Sequence, residues 1–384
     1  MTQAIDDVLN QAVDRGAVPN VVAVAADRSG VIYRGAAGAI APGDDRTVDA
    51  NTEHRIMSMT KMIVTAAALQ QRDAGRLDFD APVADYYPPF SDTQVLTGFV
   101  GDEPTYRAPA RPATVRHLVT HTSGLGYWFW NEDLARWQVA TGNPGVLAGT
   151  ADFLEAPMTF DPGTDYQYGI NTDLLGRCVA AAAGAELDEV LATAIFEPLA
   201  MSDTTYHLSD EQRSRLTPVH AKDETGSWIA TDVDYTQRPQ LIPGGHGLYS
   251  TANDYLKFQR ALLGGGELDG ARILSSETVD EAFRNQIGEI DFPAAIPTAD
   301  PASSADFDAG PGHKWGWGLL LNSDDIPGRR RAGSGAWAGL CNTHFWIDRS
   351  TGVTGAIYSQ TLPFVAPEVY QVYLDFETAL YAAL

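Results

Sequence analysis

Only two cysteines, Cys178 and Cys341, occur in 384 residues, and they stand in unrelated contexts. They form neither a zinc-type spacing nor a redox pair, so buried thiols are expected and no metal is. Basic residues are scarce too: 26 lysines and arginines face 50 aspartates and glutamates, a net charge of −24. Arg329-Arg330-Arg331 is their one run. Such a chain repels phosphate backbones and anionic lipid, which argues against nucleic acid or a membrane surface as partner. No apolar run approaches the roughly 18 residues that a membrane helix needs. The opening "MTQAIDDVLNQAVDRG" lacks a basic start followed by an apolar core, so no secretory signal is expected and the chain as given is expected to be cytoplasmic. Missing as well are the Gly-x-Ser-x-Gly of a Ser-His-Asp hydrolase, a phosphate loop and a dinucleotide fingerprint, so no cofactor is expected.

What remains is an ordinary globular composition, 44% hydrophobic and 20% charged, long enough for roughly two to three domains or one enzyme core with an insertion. Ile5, Val8, Leu9, Ala12 and Val13 recur at helical spacing. "VVAVAADRSGVIYRGAAG" reads as two strands around a turn at Arg28-Ser29-Gly30. At the far end, "HKWGWGLLLNS", "CNTHFWIDR" and "VTGAIYSQT" read as strands. A closing helix puts Val369, Val372, Tyr373, Phe376 and Leu380 on one face. Together these predict an α/β (α+β) fold: one antiparallel sheet assembled from both chain ends, with helices on its faces. Residues 1–76 and 241–384 would form this discontinuous sheet domain and 77–240 an inserted, mainly helical one, with the site in the cleft between them. Two turn-rich stretches, 87–112 and 288–312, resist assignment.

The chain holds four lysines, Lys61, Lys222, Lys257 and Lys314, and one of them follows a serine by three positions in Ser58-Met59-Thr60-Lys61. A helix is predicted from Ser58 to about Gly75, a plausible C′ glycine. Residues three apart share a helix face. The positive end of the helix and burial both disfavour an ammonium there, so Lys61 could serve as a neutral base toward the Ser58 hydroxyl. The plainer alternative is that Ser58 caps the helix and Lys61 is solvated. Tyr166 and Tyr168 precede a helix starting near Asn171 or Thr172. Tyr127-Trp128-Phe129-Trp130 follow a glycine turn and could line an apolar pocket or fill the core. His117 and His121 have the i, i+4 spacing of a metal pair, but no third ligand is evident, and structural roles fit them better. Arg329 to Arg331 could supply charge to a site or form a solvated turn.

Five segments occur in order: Ser58-Met59-Thr60-Lys61, "HLVTHTSGLGYW", "PGTDYQYGINTDLLG", "FEPLAMSDT" and "GGHGLYSTANDY". Over about residues 5 to 384 they resemble the serine β-lactamase and penicillin-binding-protein superfamily on its class C side. They are most similar to the family VIII carboxylesterases of the β-lactamase-like fold. The resemblance implies Ser58 as nucleophile, Lys61 as its base and Tyr168 as the catalytic tyrosine, Tyr166 being the aromatic residue two positions earlier in the family pattern. Two departures stand out. The lactamase Tyr-x-Asn becomes Tyr168-Gly169-Ile170, with Asn171 one step late. The third motif aligns with Trp337-Ala338-Gly339, or in the alternative register Gly333-Ser334-Gly335, and either lacks the family's lysine or histidine.

The Ser58 and Leu340 amides would form the oxyanion hole. Tyr127, Trp128, Ile170, Trp337, Ala338 and Gly339 would contact substrate. Without an amide side chain and a cation to grip a lactam acid, the expected substrate is a small-molecule ester with small or apolar groups, cleaved through an acyl-enzyme. β-Lactamase, D,D-peptidase or amide hydrolase activity, acyl transfer to an acceptor other than water, and a silent binding role stand as alternatives.

Overall fold

The structure, a computed structural model, describes residues 2–234 and 241–384. Its largest sheet has seven strands: β1 (Asn20–Asp27), β2 (Val31–Gly38), β3 (His313–Trp315), β4 (Leu320–Asn322), β5 (Gly335–Gly339), β6 (Thr343–Asp348) and β7 (Val353–Tyr358), in the order β3-β4-β5-β6-β7-β1-β2 with every pair antiparallel. Pairing of β1 with β7, Val22 against Tyr358 through Asp27 against Val353, joins the two chain ends as expected.

Period-two side-chain alternation explains why β1 is apolar throughout. Val21, Ala23 and Ala25 face one core with α1 (Thr2–Asp14) and α5 (Pro367–Ala382). Val22, Val24 and Ala26 face the other, with α2 (Thr60–Asp73), α3 (Asn171–Ala183) and α4 (Ala252–Leu263). Gln259 of α4 reaches into the sheet, its amide donating to Thr354 Oγ1 at 2.8 Å and the Gly355 carbonyl at 2.9 Å. Gly355 faces Trp346 across the ladder, and a Cβ there would lie 2.4 Å from the indole.

Among the described residues, 77–234 give no strand to this sheet. They hold α3, shorter helices and two hairpins, one of which (Val95–Val100 with Glu103–Arg107) occupies much of the turn-rich 87–112. Position 240, the expected boundary, lies outside the described residues. A single hydrophobic cluster runs from the sheet through α2 into α3, and this continuity fixes α3 relative to the start of α2. The stretch 288–312 closes a small ladder, Ala295–Ile296 with Phe307–Asp308. It is tied down by Ala299 N–H to the Phe129 carbonyl, 2.8 Å, and by Trp130 Nε1 to Ser304 Oγ, 3.1 Å. No described helix is long and apolar enough to cross a membrane.

The arginine run is not a solvated turn at its centre. Arg330 is buried, 2.6 Å from the Tyr373 hydroxyl and 3.4 Å from the fully buried Glu377 of α5. Arg331 pairs with Asp325 at the surface, and its N–H binds Asp348 at the end of β6 remote from Thr343. These charges therefore serve packing. Arg330→Met, which leaves a buried carboxylate without its nearest cation, is expected to destabilise the protein by about 3 kcal/mol in urea unfolding. The double variant Arg330→Met/Glu377→Leu should recover most of that loss, and equal losses in the two would contradict the pairing.

Candidate active site

Ser58 sits inside the first turn rather than capping it. A short 3-10 turn, Met57–Met59, runs directly into α2, and the helix ends at Ala74 with Gly75 left-handed at φ 69°. Met57 is itself left-handed at φ 46°, a strained position for a side-chain-bearing residue. It is held by packing against Val219 and Cys341. Among the described residues no side-chain cap bond is present at this helix start, and Ser58 Oγ instead lies 3.1 Å from Lys61 Nζ.

Lys61 is 1% exposed. Its amine donates to the Gly245 carbonyl at 2.7 Å and the Tyr127 hydroxyl at 3.0 Å, and it stands 4.8 Å from the centre of the Tyr168 ring. Burial pushes its pKa down to about 7, against a smaller opposing pull from Asp173. The buried Asp173 carboxylate meets the lysine only indirectly, accepting the Gly245 N–H at 2.9 Å. Residue 245 must be glycine for this: a Cβ there would lie 2.3 Å from Asp173 Oδ2.

Of the two candidate tyrosines, Tyr168 reaches the serine. Its hydroxyl shares a hydrogen bond with Ser58 and accepts one from Trp337 Nε1 at 2.9 Å. Burial raises its pKa, so the phenol stays protonated at neutral pH. Tyr166 turns the other way, into a buried aromatic group with His121, Phe292 and Trp315. His121 stacks there, 4.7 Å from Tyr168, and burial pushes its pKa well down. His117 instead folds back onto Thr114, its Nδ1 accepting that residue's N–H at 3.0 Å. The two rings are thus committed separately. Both cysteines are buried free thiols pushed up to about 12.

Of the two candidate third motifs, the one containing Trp337 adjoins Tyr168. Trp337-Ala338-Gly339 lie on β5, and Gly339 abuts the chain just before Ser58, where an added Cβ would come within 2.3 Å of the Ile56 carbonyl. Leu340 follows, half-buried against the small cluster of Met57, Val219 and Cys341. Ser334 lies before the strand, bonded to the Arg331 carbonyl. Ile170 is buried at the start of α3 and lines a small apolar pocket with Tyr127 and Trp128. Trp128 also donates to Asp300 at 3.2 Å. Asn171, one step late in the motif, is structural: its amide donates to the Leu125 carbonyl at 3.0 Å, and its oxygen accepts from Ser123.

Sequence reasoning gave Tyr127 a place in a pocket but not its bond to Lys61, and gave Gly245 and Asp173 no role. The one available signal was the glycine-punctuated "GGHGLYS", a turn whose function is carried by a backbone carbonyl.

The beta-lactamase family model matches residues 5–380. A lovastatin esterase of Penicillium rubens is 30% identical over 367 residues, 91% of each chain. A monacolin J acid methylbutanoyltransferase of Aspergillus terreus is 30% identical, covering 98% of this chain and 95% of its own. Among solved structures, a mutant of simvastatin synthase from Aspergillus terreus superposes with a TM-score of 0.85 at 27% identity, over 99% of this chain and 96% of that one. With matches of this extent, the chain belongs to the beta-lactamase family, among its serine hydrolases and acyltransferases.

Proposed function

We propose that the protein is a carboxylesterase of the family VIII type, forming an acyl-enzyme on Ser58. The observation that carries this reading is the buried Lys61, with its amine 3.1 Å from the Ser58 hydroxyl and a pKa pushed down to about 7. A neutral amine has two donors and one lone pair. The donors are taken by the Gly245 carbonyl and the Tyr127 hydroxyl, so the lone pair is left for the Ser58 proton. An indole N–H can only donate, so Trp337 makes the Tyr168 oxygen an acceptor and leaves its proton to point at Ser58.

The reaction then follows. Ser58 Oγ attacks the ester carbonyl carbon as its proton passes to Lys61, and the oxyanion is met by the Ser58 and Leu340 amides. On collapse the C–O bond to the alcohol breaks, and the departing alkoxide takes a proton delivered through Tyr168 from Lys61. Water repeats the sequence, releasing the acid and restoring Ser58. We take Tyr127, Trp128, Ile170, Trp337, Ala338 and Gly339 as the residues that contact a small-molecule ester; none of them is a cation that could grip a carboxylate, which suits a neutral substrate over a lactam acid. Acyl transfer to an alcohol is the second reading, favoured by relatives with that activity at 30% identity.

With p-nitrophenyl acetate and butyrate, Ser58→Ala is expected to abolish turnover; turnover that survives would place the nucleophile elsewhere. If a primary alcohol added to the assay diverts the acyl group into a new ester, transfer is the better description. The rate should also report the lysine. Below pH 7 the amine is protonated and cannot take the Ser58 proton, so kcat/KM is expected to fall about tenfold per pH unit. A profile flat from pH 5 to 8 would remove Lys61 as base.

The same burial costs stability. The unfolded chain holds the lysine proton up to the ordinary 10.5, the folded one only to about 7, so the penalty is full below 7 and vanishes as pH rises through 10.5. Lys61→Met should therefore change stability more favourably at pH 6 than at pH 9, read by urea unfolding; the same difference at both pH values would contradict a depressed pKa. Finally, Trp337→Phe frees the Tyr168 hydroxyl to rotate. A roughly tenfold loss in kcat with little change in KM is expected from one lost hydrogen bond, and an unchanged kcat would deny Trp337 a positioning role.

A further inference from the structure

Two apolar pockets lie side by side next to this site. One is lined by Tyr127, Ile170, Leu134 and Trp137. The other is lined by Tyr206, Leu241 and Pro243, and it includes His246, the residue after the carbonyl that holds Lys61. Val146 and Phe153 belong to the lining of both. They come from one stretch, 142–156, which bends at the left-handed Gly142, Gly145 and Gly149. It is pinned by the Asn143 amide on the Asp152 carbonyl at 2.8 Å.

We propose that the Tyr127–Ile170 pocket receives the acyl chain of the substrate and that Phe153, with Val146, is the partition that sets the longest chain accepted. This deepens the esterase reading and rests on it. The side of the serine is fixed by proton delivery. Tyr168 hands its proton to the leaving alcohol, so the alcohol stands on the Tyr168 side, where a separate pocket lined by Tyr168 carries Asn131, Asp165 and Gln167 to meet a hydroxyl or water. The acyl group is left the neighbouring pocket, whose wall includes Tyr127, the residue bonded to Lys61 at 3.0 Å. That wall offers aliphatic and aromatic surface, and each methylene buried there is worth roughly fourfold in kcat/KM. Growth of the chain stops at Phe153, which is 3% exposed and buried between the two chambers. Beyond it lies the second chamber.

The test is kcat/KM for p-nitrophenyl esters from acetate to decanoate, in the wild type, Phe153→Ala and Val146→Ala. Wild-type values should rise about fourfold per methylene and then break. In Phe153→Ala the break should move outward by at least two carbons, raising the decanoate-to-butyrate ratio about tenfold or more. Val146→Ala, at a half-buried position that tolerates truncation, should move it the same way by less, and covers the case in which Phe153→Ala does not fold. The dependence on alcohol length, measured with alkyl butyrates, should keep its shape in both variants. A break at the same carbon in every protein, or one that moves with alcohol length, overturns the assignment. Failure of the wild type to cleave any ester would count against the esterase reading alone. The partition is then judged without turnover, by the rise in Tm with butyrate, hexanoate, octanoate and decanoate. A rise that lengthens its range in the variants upholds the partition, and none, or the same range in all, rejects it.

Discussion

Taking the Lys61 amine out of water is the constraint on which the rest of the site depends. Desolvation lowers its pKa to about 7, whereas Asp173 pulls the other way. A carboxylate in direct contact would win that contest and leave a permanent ammonium, useless as a base. The fold avoids this by spending Asp173 on the Gly245 N–H and presenting the Gly245 carbonyl to the lysine. A carbonyl and a phenol satisfy the amine without charging it. Glycine at 245 follows, because a Cβ has nowhere to go.

Direction is the second consequence. With the amine neutral, Lys61 donates to Gly245 and Tyr127 and keeps its lone pair for the Ser58 proton, while Trp337 Nε1 donates to Tyr168. A pure donor at one end and a pure acceptor at the other bias the hydroxyls between them toward that direction. A lysine at position 337 could donate as well, but it would add a charge beside Lys61 and depress that amine further. The tryptophan orders the network while staying neutral. The strained Met57, worth about 1–3 kcal/mol of unfavourable backbone energy, is tolerated because β5 and the packing around Cys341 hold the Ser58 turn in place.

The sheet was legible because its strands are short apolar runs bounded by turns, and because both chain ends carried them. β1 shows continuous burial, so its pattern gave no face and did not mark its place among the strands. Ser58 and Lys61 stood out by a spacing of three on a helix, which by itself left a plain helix start open, and Tyr168 was told from Tyr166 only by the family resemblance. The Lys61–Tyr127 bond was not, since 66 residues separate the pair and nothing local marks it. Backbone partners such as the Gly245 carbonyl leave only a glycine as a trace. Arg330 misled for a related reason: three consecutive arginines read as solvated until Glu377, 47 residues on, is brought beside the middle one. The histidine pair reads as structural because i, i+4 spacing says nothing of whether the rings face a common point, and here one caps a helix while the other joins an aromatic core.

Hydrolysis and acyl transfer differ in a single occupant, the hydroxyl that meets the acyl-enzyme beside Tyr168. Both outcomes use the same proton path, so the catalytic residues do not choose between them. The choice falls to whatever controls access on that side. There the stretch 288–312 lines the Tyr168-side pocket with Ala295, Ile296 and Pro297 and is fastened by Trp130–Ser304 and Phe129–Ala299. Its apolar wall favours the carbon chain of an alcohol, whereas Asn131, Asp165 and Gln167 offer hydrogen bonds to water. A family that passes from esterases to acyltransferases can therefore do so by reshaping this stretch and the Tyr168-side pocket, leaving Lys61 and its partners untouched.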